Sequence, residues 1–578
     1  MLESGEGVER SAADRSALAR LALGEAGRHL RAQVGAWLSP RLVSPPKRLL
    51  FAPQDLRTAD ATAAADIYAG SFVFAGRALA TGGRSPFDFQ PPSRAWGEIL
   101  YGFGWLRHLR AADTALAAAN ARALVAQFEF EGRGDRRLAD GTEVLARRLI
   151  SYLGQSPLLL NGADHAFYDR FLRAVARAVR RLERDAAGRA RPDRRLVAAT
   201  AVAFAGLACE GYDPVLRRAT RLLSRELDAQ VLPDGGPVSR NPRAVVELLL
   251  DLLSLRQLYA SRGLEPPRAL LGAIDRALPF LRLMRHPDGR LALFNGMGPT
   301  AADHLATVLI YHEDRGPAPP SAPQTGYERL EAGGTVVVAD VGGPPPLHHS
   351  GEAHAGCLSF EMSSGRERIV TNCGAPQRAS EALNEAARAT AAHSTVTVDR
   401  TSSAAFLTPE ASGIERRLAR RLLRRLGPVI LSGPGPVAVE RGEKQGWRRL
   451  RAVHDGYART FGLSHERRWQ LSPGGDQLAG EDLFTGGAMG ATEAAIRFHL
   501  SPSLSAEAAD SAVRLMLRNG EEWLFSAEGL PAEIAESAVF AASDGTRRTS
   551  QIVVTVDPRT MPRVRWSFVR VGAGGPNA

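Results

Sequence analysis

Hydrophobic residues in the first half of the chain recur at the three- and four-residue spacing of amphipathic helices. From Trp96 to about residue 312, one such segment follows another at intervals of roughly 20–25 residues, the length of a helix and its connection. Strand-like runs are almost absent here, so the pattern predicts a toroid-like or solenoid arrangement of paired helices. The predicted helices include Thr114–Phe130, Glu143–Leu153, Asp164–Asp185, Arg194–Cys209, Pro214–Gln230, Arg243–Arg262, Arg268–Met284 and Asp303–Tyr311.

The segments that precede this region have other patterns. Leucines and alanines set between arginines over residues 9–40 predict an amphipathic helix, and proline and glycine pairs over 45–95 predict an extended arm. Trp96–Arg110 carries apolar residues on one helical face and opens the helical region. We therefore predict an N-terminal helix and arm over 1–95 and an α/α-toroid domain over 96–315.

A stretch rich in Pro, Gly and Ala, Asp314–Leu330, ends the helical periodicity and predicts a linker over 316–326. From residue 327 to 578 short, β-branched, alternating runs are broken by Gly, Pro and Asp, which is typical of an antiparallel β-sandwich. The predicted fold class is therefore α+β multidomain, with the toroid-like helical domain first and the β-sandwich second. One run, Glu415–Gly427, instead has leucines at helical spacing. Its arginines form a basic face for polyanions, or its leucines simply pack a solvated helix onto the sheet.

The composition adds a strong positive charge. The 578 residues carry a net charge of +11, and only Lys47 and Lys444 among the 73 basic residues are lysine. The planar arginine fork binds carboxylates, sulfates and phosphates, although a GC-rich genome also produces such a bias. In both cases the positive field attracts polyanions.

Other sequence features narrow the class of protein. Three cysteines, Cys209, Cys357 and Cys373, predict no disulfide framework. The first fifteen residues include acidic ones and have no apolar core of a secretory signal. The most apolar run, Ala244–Leu255, contains Glu247 and Asp251 and is too short to span a bilayer. These features predict a soluble, cytoplasmic protein with no membrane insertion.

Residues whose side chains could take part in catalysis or metal binding concentrate in His348–Asp399, where short strand-like runs alternate with turns. His354 and His393 each precede a strand, a layout that brings side chains together at the end of a sheet. Alternation in RIVTNC places Asn372 and Cys373 on opposite faces, so at most one of them joins the two imidazoles. Two histidines and a third ligand would form an open zinc site, whereas two histidines alone are more often structural.

Alternation in LSFEM has a similar consequence. It places Leu358, Phe360 and Met362 on a core face, and Cys357, Ser359 and Glu361 on the other face.

Two loops with Asp-Gly turns interrupt the helices, Leu232–Val246 and His286–Thr300. Both end at a predicted helix start. Polar residues on such loops would lie on one rim of the toroid and form a cleft there.

The motifs HAGCLSFEMSSG, IVTNCG and TAAHSTVTVD resemble the sheet domain of heparinase II/III-like polysaccharide lyases. HDGY (His454–Tyr457), HERRW (His465–Trp469) and RFHLSP (Arg497–Pro502) are also similar to that family, as is the helical half. The resemblance implies a helical toroid and an antiparallel sandwich with substrate in the cleft between them. It further implies β-elimination on uronic acids, which requires neutralisation of the uronate, a base and an acid.

The resemblance also implies site residues. His354 and His393 match the two metal-site histidines of the family, while Asn372 and Glu352 stand where the family has an aspartate and a histidine. Ser239–Pro242 lies where the family has a tyrosine.

Within this resemblance, Arg240 and Asn241 would neutralise the uronate, and Tyr457 or Glu352 would transfer protons. Other interpretations are a surface ion pair for Arg240, a helix N-cap for Asn241 and a buried aromatic for Tyr457.

The two imidazoles would shape the catalytic site and, with Asn372, hold a structural zinc ion. Arg195, near the position of a family asparagine, would contact substrate together with Asn295, His465 and Arg467.

The sequence thus favours a lyase that acts on an acidic poly- or oligosaccharide. One alternative is a catalytically degenerate glycan- or polyanion-binding protein, and another is a zinc hydrolase that uses His354, His393 and Glu352. The expected partners are acidic glycans and no nucleic acid, with a homodimer as the expected assembly. The resemblance adds the periplasm or cell envelope as an alternative location.

Overall fold

The computed structural model describes residues 18–27, 44–311, 316–377, 380–408, 413–510, 512–542 and 544–572. Within these ranges, helices form the first part of the chain and two large antiparallel sheets form most of the second part. The predicted α+β class, with helices before the sandwich, is confirmed.

The helical part begins with α1 over 18–27 and continues through thirteen further described helices. Its longer helices begin and end within two residues of the predicted limits, because apolar spacing marks their extent and an N-cap residue or an early proline marks several of their starts. No described helix combines the length and the apolar character needed to cross a membrane. The bounds are α2 (Thr62–Tyr68), α3 (Arg94–Gly102), α4 (Leu106–Ala112), α5 (Ala115–Glu129), α6 (Arg136–Ala139), α7 (Thr142–Gly154), α8 (Ser156–Leu160), α9 (His165–Arg184), α10 (Pro192–Ala208), α11 (Asp213–Gln230), α12 (Pro242–Ser261), α13 (Arg268–Met284) and α14 (Ala302–Ile310).

Two predicted segments of this part differ from the structure. The single helix predicted over 96–110 is two helices, α3 and α4, because Phe103 adopts a left-handed conformation with φ of 55° and ends α3. The predicted arm over 45–95 contains α2 and a hairpin of β1 (Ser71–Phe74) and β2 (Arg77–Ala80). Much of the helix predicted over 9–40 lies outside the described residues.

The two sheets are built from antiparallel pairs only. The first sheet runs β19-β20-β15-β7-β6-β5-β4-β3, with β8 also paired to β15, and the second runs β11-β12-β13-β14-β21-β18-β17-β16. The strands are β3 (Ser321–Ala322), β4 (Tyr327–Ala332), β5 (Thr335–Asp340), β6 (Phe360–Ser364), β7 (Glu367–Thr371), β8 (Val396–Val398), β11 (Ala438–Lys444), β12 (Trp447–Tyr457), β13 (Leu463–Leu471), β14 (Gln477–Gly486), β15 (Ala494–Leu500), β16 (Ser505–Ala509), β17 (Ala512–Met516), β18 (Glu522–Ala527), β19 (Glu533–Val539), β20 (Arg547–Val556) and β21 (Arg563–Arg570).

The first sheet is covered on both faces. In β5, Val336 and Val338 belong to the hydrophobic core of the helical part, whereas Val337 and Ala339 belong to the core between the two sheets. The predicted non-core face of β6 is buried for the same reason, and Glu361 on it has no exposed surface. The sheet therefore joins the helices to the sandwich.

Three further helices lie in the second part, α15 (Glu381–Arg388), α16 (Gly413–Leu426) and α17 (Ala458–Phe461), together with a hairpin of β9 (Ala405–Phe406) and β10 (Ile430–Ser432). Leu422 and Leu426 of α16 pack against Leu18 and Leu21 of α1. The described arginines of α16 are exposed. The leucines thus pack a solvated helix, but onto α1 and not onto the sheet as predicted, and the basic face of α16 remains available to solvent.

Candidate functional site

A cleft of about 940 Å³ lies between the helical part and the sandwich. One wall comes from α3, α7 and the first turns of α10 and α12, and the other from segment 348–352 and the end of α16. Among the described lining residues there is no Phe, Tyr or Trp, so the walls are polar and aliphatic. The charged lining residues are Arg94, Glu98, Glu143, Arg147, Arg191, Asp193, Arg194, Arg243, Glu247, Asp251, Glu352, Arg424 and Arg425.

Ion pairs between helices hold several of these side chains in place. Arg194, in the first turn of α10, pairs with Glu143 on α7. Arg147, also on α7, pairs with the buried carboxylate of Asp251 on α12. These pairs fix the orientation of two guanidinium groups that line the cleft.

Arg191 connects the helical wall to the wall formed by α16. Its Nε and Nη2 donate to the two carboxylate oxygens of Asp193 at 3.0 and 2.9 Å. Its Nη1 donates to the carbonyl oxygens of Arg425 and Leu426 at 3.0 Å each, which satisfies acceptors at the C-terminus of α16. Arg191 therefore links the two walls.

Glu352 faces the start of α12 across the cleft. Its Oε2 accepts hydrogen bonds from Nδ2 of Asn241 at 2.9 Å and Nη2 of Arg243 at 3.1 Å. Partial enclosure in the cleft alone would raise the pKa of Glu352, but the positive charges of Arg243 and Arg194 bring it below its ordinary value. Glu352 is therefore an ionised, hydrogen-bonded carboxylate.

Asn241 is the N-cap of α12. Its Oδ1 accepts from the backbone N–H of Arg243 at 3.0 Å, and Pro242 occupies the first helical position. Since its Nδ2 donates to Glu352, both ends of the amide are engaged. This placement matches the capping interpretation and does not support the predicted role of Asn241 in neutralising a uronate.

Arg240 is buried between the loop that precedes α12 and the first sheet, and its backbone is left-handed with φ of 60°. All five of its guanidinium N–H groups have acceptors, so none remains for a substrate. Burial would lower the pKa of Arg240, but the carboxylate of Asp340 raises it above its ordinary value. The predicted contact with a uronate is therefore not supported. The acceptors are the carbonyls of Thr325, Gly326, Gly342 and Gly343 and the carboxylate of Asp340.

His354 and His393 come together as the sequence predicts. Nδ1 of His354 lies 3.0 Å from Nε2 of His393, and Nδ1 of His393 lies 2.8 Å from the carbonyl oxygen of Ala389. Because a carbonyl only accepts, His393 carries its proton on Nδ1. Its unprotonated Nε2 therefore accepts a hydrogen bond from Nδ1–H of His354. Burial lowers the pKa of His393 to about 4 and that of His354 well below its ordinary value. Neither imidazole lines the cleft.

The third position of the predicted zinc site is also buried. Asn372 accepts from the backbone N–H of Ser394 through Oδ1 at 2.9 Å, and its Nδ2 has no partner among the described residues. Nor do three or more His, Cys, Asp or Glu side chains converge anywhere in the described part of the chain. Two imidazoles and a neutral amide do not make up the donor set that zinc takes, so a bound zinc ion stays a prediction. Glu352, the third residue of the zinc-hydrolase alternative, lies in the cleft and accepts a hydrogen bond from Asn241.

Tyr457 lies in the core between the sheets. Its side chain is 1% exposed and its hydroxyl donates to the carbonyl oxygen of Val396 at 2.6 Å. Burial raises the pKa of Tyr457 above its ordinary value. The structure therefore places Tyr457 in the buried-aromatic role, away from the cleft, and does not support proton transfer by it.

His465 and Arg467 of β13 are also buried and do not reach the cleft. Both bind Asp482 on β14, with Nε2 of His465 and Nε of Arg467 each 2.7 Å from its Oδ1. Burial alone would raise the pKa of Asp482, but Arg467 and His465 hold it below its ordinary value. Their predicted role as substrate contacts is not supported by this placement, because they form an internal charge cluster.

The two remaining predicted contacts are held by local structure. Arg195 donates to the carbonyl oxygens of Ala190 and Gly188 at 3.0 and 3.3 Å, before α10. Asn295 is 2% exposed, and its Nδ2 donates to Tyr327 and Asp340. Neither side chain lines the cleft.

The arginines that do line the cleft, among them Arg191, Arg194 and Arg243, are not among the predicted site residues. Their signal was the run RPDRR at the start of α10 and the arginine after Asn-Pro at the start of α12. Arg388 is not among them either, although its guanidinium donates to three carbonyl oxygens and holds the segment that carries Glu352.

Comparisons with known proteins agree with this fold. The family described as "Heparinase II/III-like, C-terminal" matches residues 314–567. Heparinase III superimposes with a TM-score of 0.68 at 12% identity over 96% of this chain and 91% of that one. Heparan sulfate lyase HepC from Pedobacter heparinus does so with 0.57 at 15% identity over 98% and 90%. The chain belongs to the heparinase II/III-like family.

A curated relative is similar over nearly the whole length. This is FtsZ-localized protein C from Caulobacter vibrioides (strain NA1000 / CB15N), 32% identical over 542 residues that cover 91% of each chain. The relative is named for its location, whereas the two structural neighbours are named as a heparinase and a heparan sulfate lyase. The family and the fold support a function of the glycan-lyase kind.

Proposed function

We propose that this chain binds an acidic oligosaccharide in the cleft without carrying out β-elimination on it. The cleft lies between helices and sandwich, where the family resemblance implies substrate, and at about 940 Å³ it is within the usual range of ligand sites. The proposal departs from the lyase hypothesis in one respect only, the chemical step.

The observation that carries the proposal is the placement of Glu352 and Tyr457, the two predicted proton-transfer groups, and of His354, the third predicted catalytic residue able to take up a proton. A general base works best with access to substrate and a pKa near the working pH. Glu352 has access, but its pKa is lowered and its carboxylate is hydrogen-bonded. His354 and Tyr457 are buried, and burial makes the imidazole a weak base and the phenol a weak acid. None of the three combines access with suitable proton affinity.

Binding groups, in contrast, are present in the cleft. Arg194 and Arg243 line it at the first turns of α10 and α12, where helix dipoles also favour negative charge. The guanidinium fork suits a sugar carboxylate or sulfate, and the paired acids suit sugar hydroxyls. Arg424, exposed at the end of α16, adds a further guanidinium group on the opposite wall.

The test is a panel of heparan, alginate and hyaluronan oligosaccharides with the full chain. We expect saturable binding by calorimetry and no rise in the ultraviolet absorbance of an unsaturated uronate. Arg243→Gln should weaken binding by about tenfold or more, the effect of one charged hydrogen bond, while the exposed Arg548→Gln should not. Product absorbance would restore the lyase hypothesis, and no binding to any acidic glycan would overturn the proposed ligand.

A second function follows from the curated relative. We infer that this chain also locates with FtsZ, because the match extends over 91% of each chain and includes both helices and sandwich. A fluorescent fusion should coincide with labelled FtsZ in the cell, and purified chain should sediment with FtsZ polymers. A diffuse signal together with no co-sedimentation would contradict this inference.

A further inference from the structure

A second cavity, of about 640 Å³, lies where the helical part meets both sheets. We call it the junction cavity. It is lined by the end of α13, segment 317–320, the hairpin between β4 and β5, and strands β11 and β12, and it shares no lining residue with the cleft. Its charged lining residues are Arg282, Arg285, Arg329, Glu331, Arg441 and Arg448.

The charge of the junction cavity differs from that of the cleft. Arginines and carboxylates nearly balance in the cleft, whereas five arginines face one carboxylate, Glu331, in the junction cavity. That carboxylate accepts from Nε of Arg329 at 2.8 Å. It is therefore already neutralised, and the described lining has an excess of positive charge.

Two of the five arginines are structural. Arg329 donates through Nη1 to the carbonyl oxygens of Leu283 and Arg285 at 3.1 and 2.9 Å, and so joins β4 to the end of α13. Arg441 donates to Glu328 and to the carbonyl oxygen of Arg329, both at 2.9 Å, and so joins β11 to β4. These contacts hold the walls of the cavity at a fixed separation.

Arg285 and Arg448 have guanidinium groups available. Both side chains are exposed, and neither forms an ion pair with a carboxylate of the described residues. Arg285 donates only through Nε, to the carbonyl oxygen of Gly289 at 3.2 Å, which leaves its terminal nitrogens. One comes from the helical part and the other from the second sheet, so they approach the cavity from two walls.

We propose that the junction cavity binds a compact anion with more than one negative charge, a diphosphate or a phosphate ester. Two guanidinium forks from different walls match an anion that has several acceptor oxygens, and phosphate geometry accepts the fork in a bidentate manner. The volume exceeds what one phosphoryl group fills, and Pro287, Pro317 and Pro320 supply an apolar surface for the organic part of an ester.

A ligand in this cavity contacts both parts of the chain. Since Arg285 and Arg448 line one cavity only when helices and sandwich are assembled, the anion binds the folded chain and not the unfolded one. Binding of this kind raises the unfolding temperature as the ligand concentration exceeds its dissociation constant.

The experiment is thermal unfolding of the full chain with inorganic diphosphate, phosphate, sulfate or chloride at one ionic strength. We expect diphosphate to raise the midpoint saturably, phosphate and sulfate less, and chloride not at all. Arg285→Gln and Arg448→Gln should each raise the diphosphate concentration that gives half of the midpoint shift by about tenfold. The double variant should show no shift. Because both residues are exposed, the midpoints without anion should be unchanged.

Two control variants make the result decisive. Arg548→Gln, an exposed arginine outside both cavities, and Arg243→Gln in the cleft should keep the full response to diphosphate. The proposal is overturned if sulfate equals diphosphate, if the double variant responds like the parent chain, or if Arg243→Gln alone abolishes the response.

Discussion

Arg240 illustrates how burial decides the use of a side chain. Its guanidinium gives every N–H to an acceptor on the first sheet or in the segments beside it, and its charge is balanced by Asp340. A left-handed backbone at this position carries a conformational cost for a residue other than glycine. The contacts therefore offset strain and at the same time fix the loop that begins α12.

We predict that Arg240→Lys destabilises the chain by about 3 kcal/mol, because three donors cannot replace five and buried carbonyls lose their partners. Urea unfolding at neutral pH measures this loss. Arg243→Lys, three residues later and half exposed, is the matched control and should change stability by less than about 0.5 kcal/mol. Equal effects of the two substitutions would mean that the guanidinium of Arg240 does not form the buried hydrogen bonds described above.

Tyr457→Phe removes one buried hydrogen bond, the one to Val396, and leaves the ring in the core. We expect a loss of about 0.5–1.5 kcal/mol in the free energy of unfolding and unchanged glycan affinity. Calorimetric titration and urea unfolding on the same preparation check both. Unchanged stability with lost binding would instead place the phenol at the ligand.

Sequence patterns predict the pairing of His354 with His393 but not the fate of the other candidate residues. Alternation in a strand separates two faces, yet it does not reveal whether the second face meets solvent or another layer. Glu361 and Asn295 are polar and buried because helices cover the first sheet. The cleft arginines, in turn, lie at the starts of helices that are distant in sequence. They therefore form one site only in the folded chain.

Among the elements, four neighbouring strands of the second sheet enclose a buried polar relay. The backbone N–H of Gly456 donates to Nδ1 of His454, whose Nε2 lies 3.3 Å from Nδ1 of His465. His465 in turn donates to Asp482, which also receives the indole N–H of Trp566 at 2.8 Å. The relay fixes both tautomers and the register of β12, β13, β14 and β21.

Asp482→Asn should destabilise the chain by about 3–5 kcal/mol, because it leaves the buried guanidinium of Arg467 without a counter-charge. The neighbouring Glu481→Gln on the same strand is the control. The side chains of its partners, Arg468, Arg563 and Arg565, are 37%, 52% and 55% exposed, so a loss of about 1 kcal/mol or less is expected. Chemical denaturation compares the two, and similar losses would contradict a central role for Asp482.

The same elements show the limits of periodicity. The long helices are predicted nearly to the residue, since apolar spacing and caps act locally. Strand β14, Gln477–Gly486, has no clear strand pattern in its sequence, because glycines and acidic residues interrupt the run of apolar positions. Gly480 is required there by a neighbour distant in sequence, since a Cβ would lie 2.1 Å from the ring of Trp566. Such a requirement cannot be read from the strand itself.

At the scale of the whole molecule, buried neutral histidines couple stability to pH. Burial lowers the pKa of His393 to about 4 and that of His499 to about 3, whereas both titrate near 6.5 in the unfolded chain. Above pH 6.5 neither state binds the protons, and as the pH falls the unfolded state binds them first. Stability is therefore lost as the pH falls from 6.5 towards 4.

We expect the two histidines together to remove about 2–3 kcal/mol of stability between pH 6 and pH 5. Urea unfolding at pH 7, 6 and 5 and constant ionic strength measures the slope. His499→Asn should reduce that slope by about 1 kcal/mol per pH unit. A slope that is flat, or that the substitution leaves unchanged, would show that these imidazoles titrate normally in the folded chain.

The two-sided burial of the first sheet has a practical consequence for anyone who dissects the protein. Val336 and Val338 lie on a strand of the sandwich but belong to the core of the helices. A recombinant fragment that begins at residue 316 would expose that apolar face of the first sheet to water. A fragment that stops at residue 311 would expose the helical core that the sheet covers. Each fragment alone should self-associate, and the two mixed should recombine through fragment complementation.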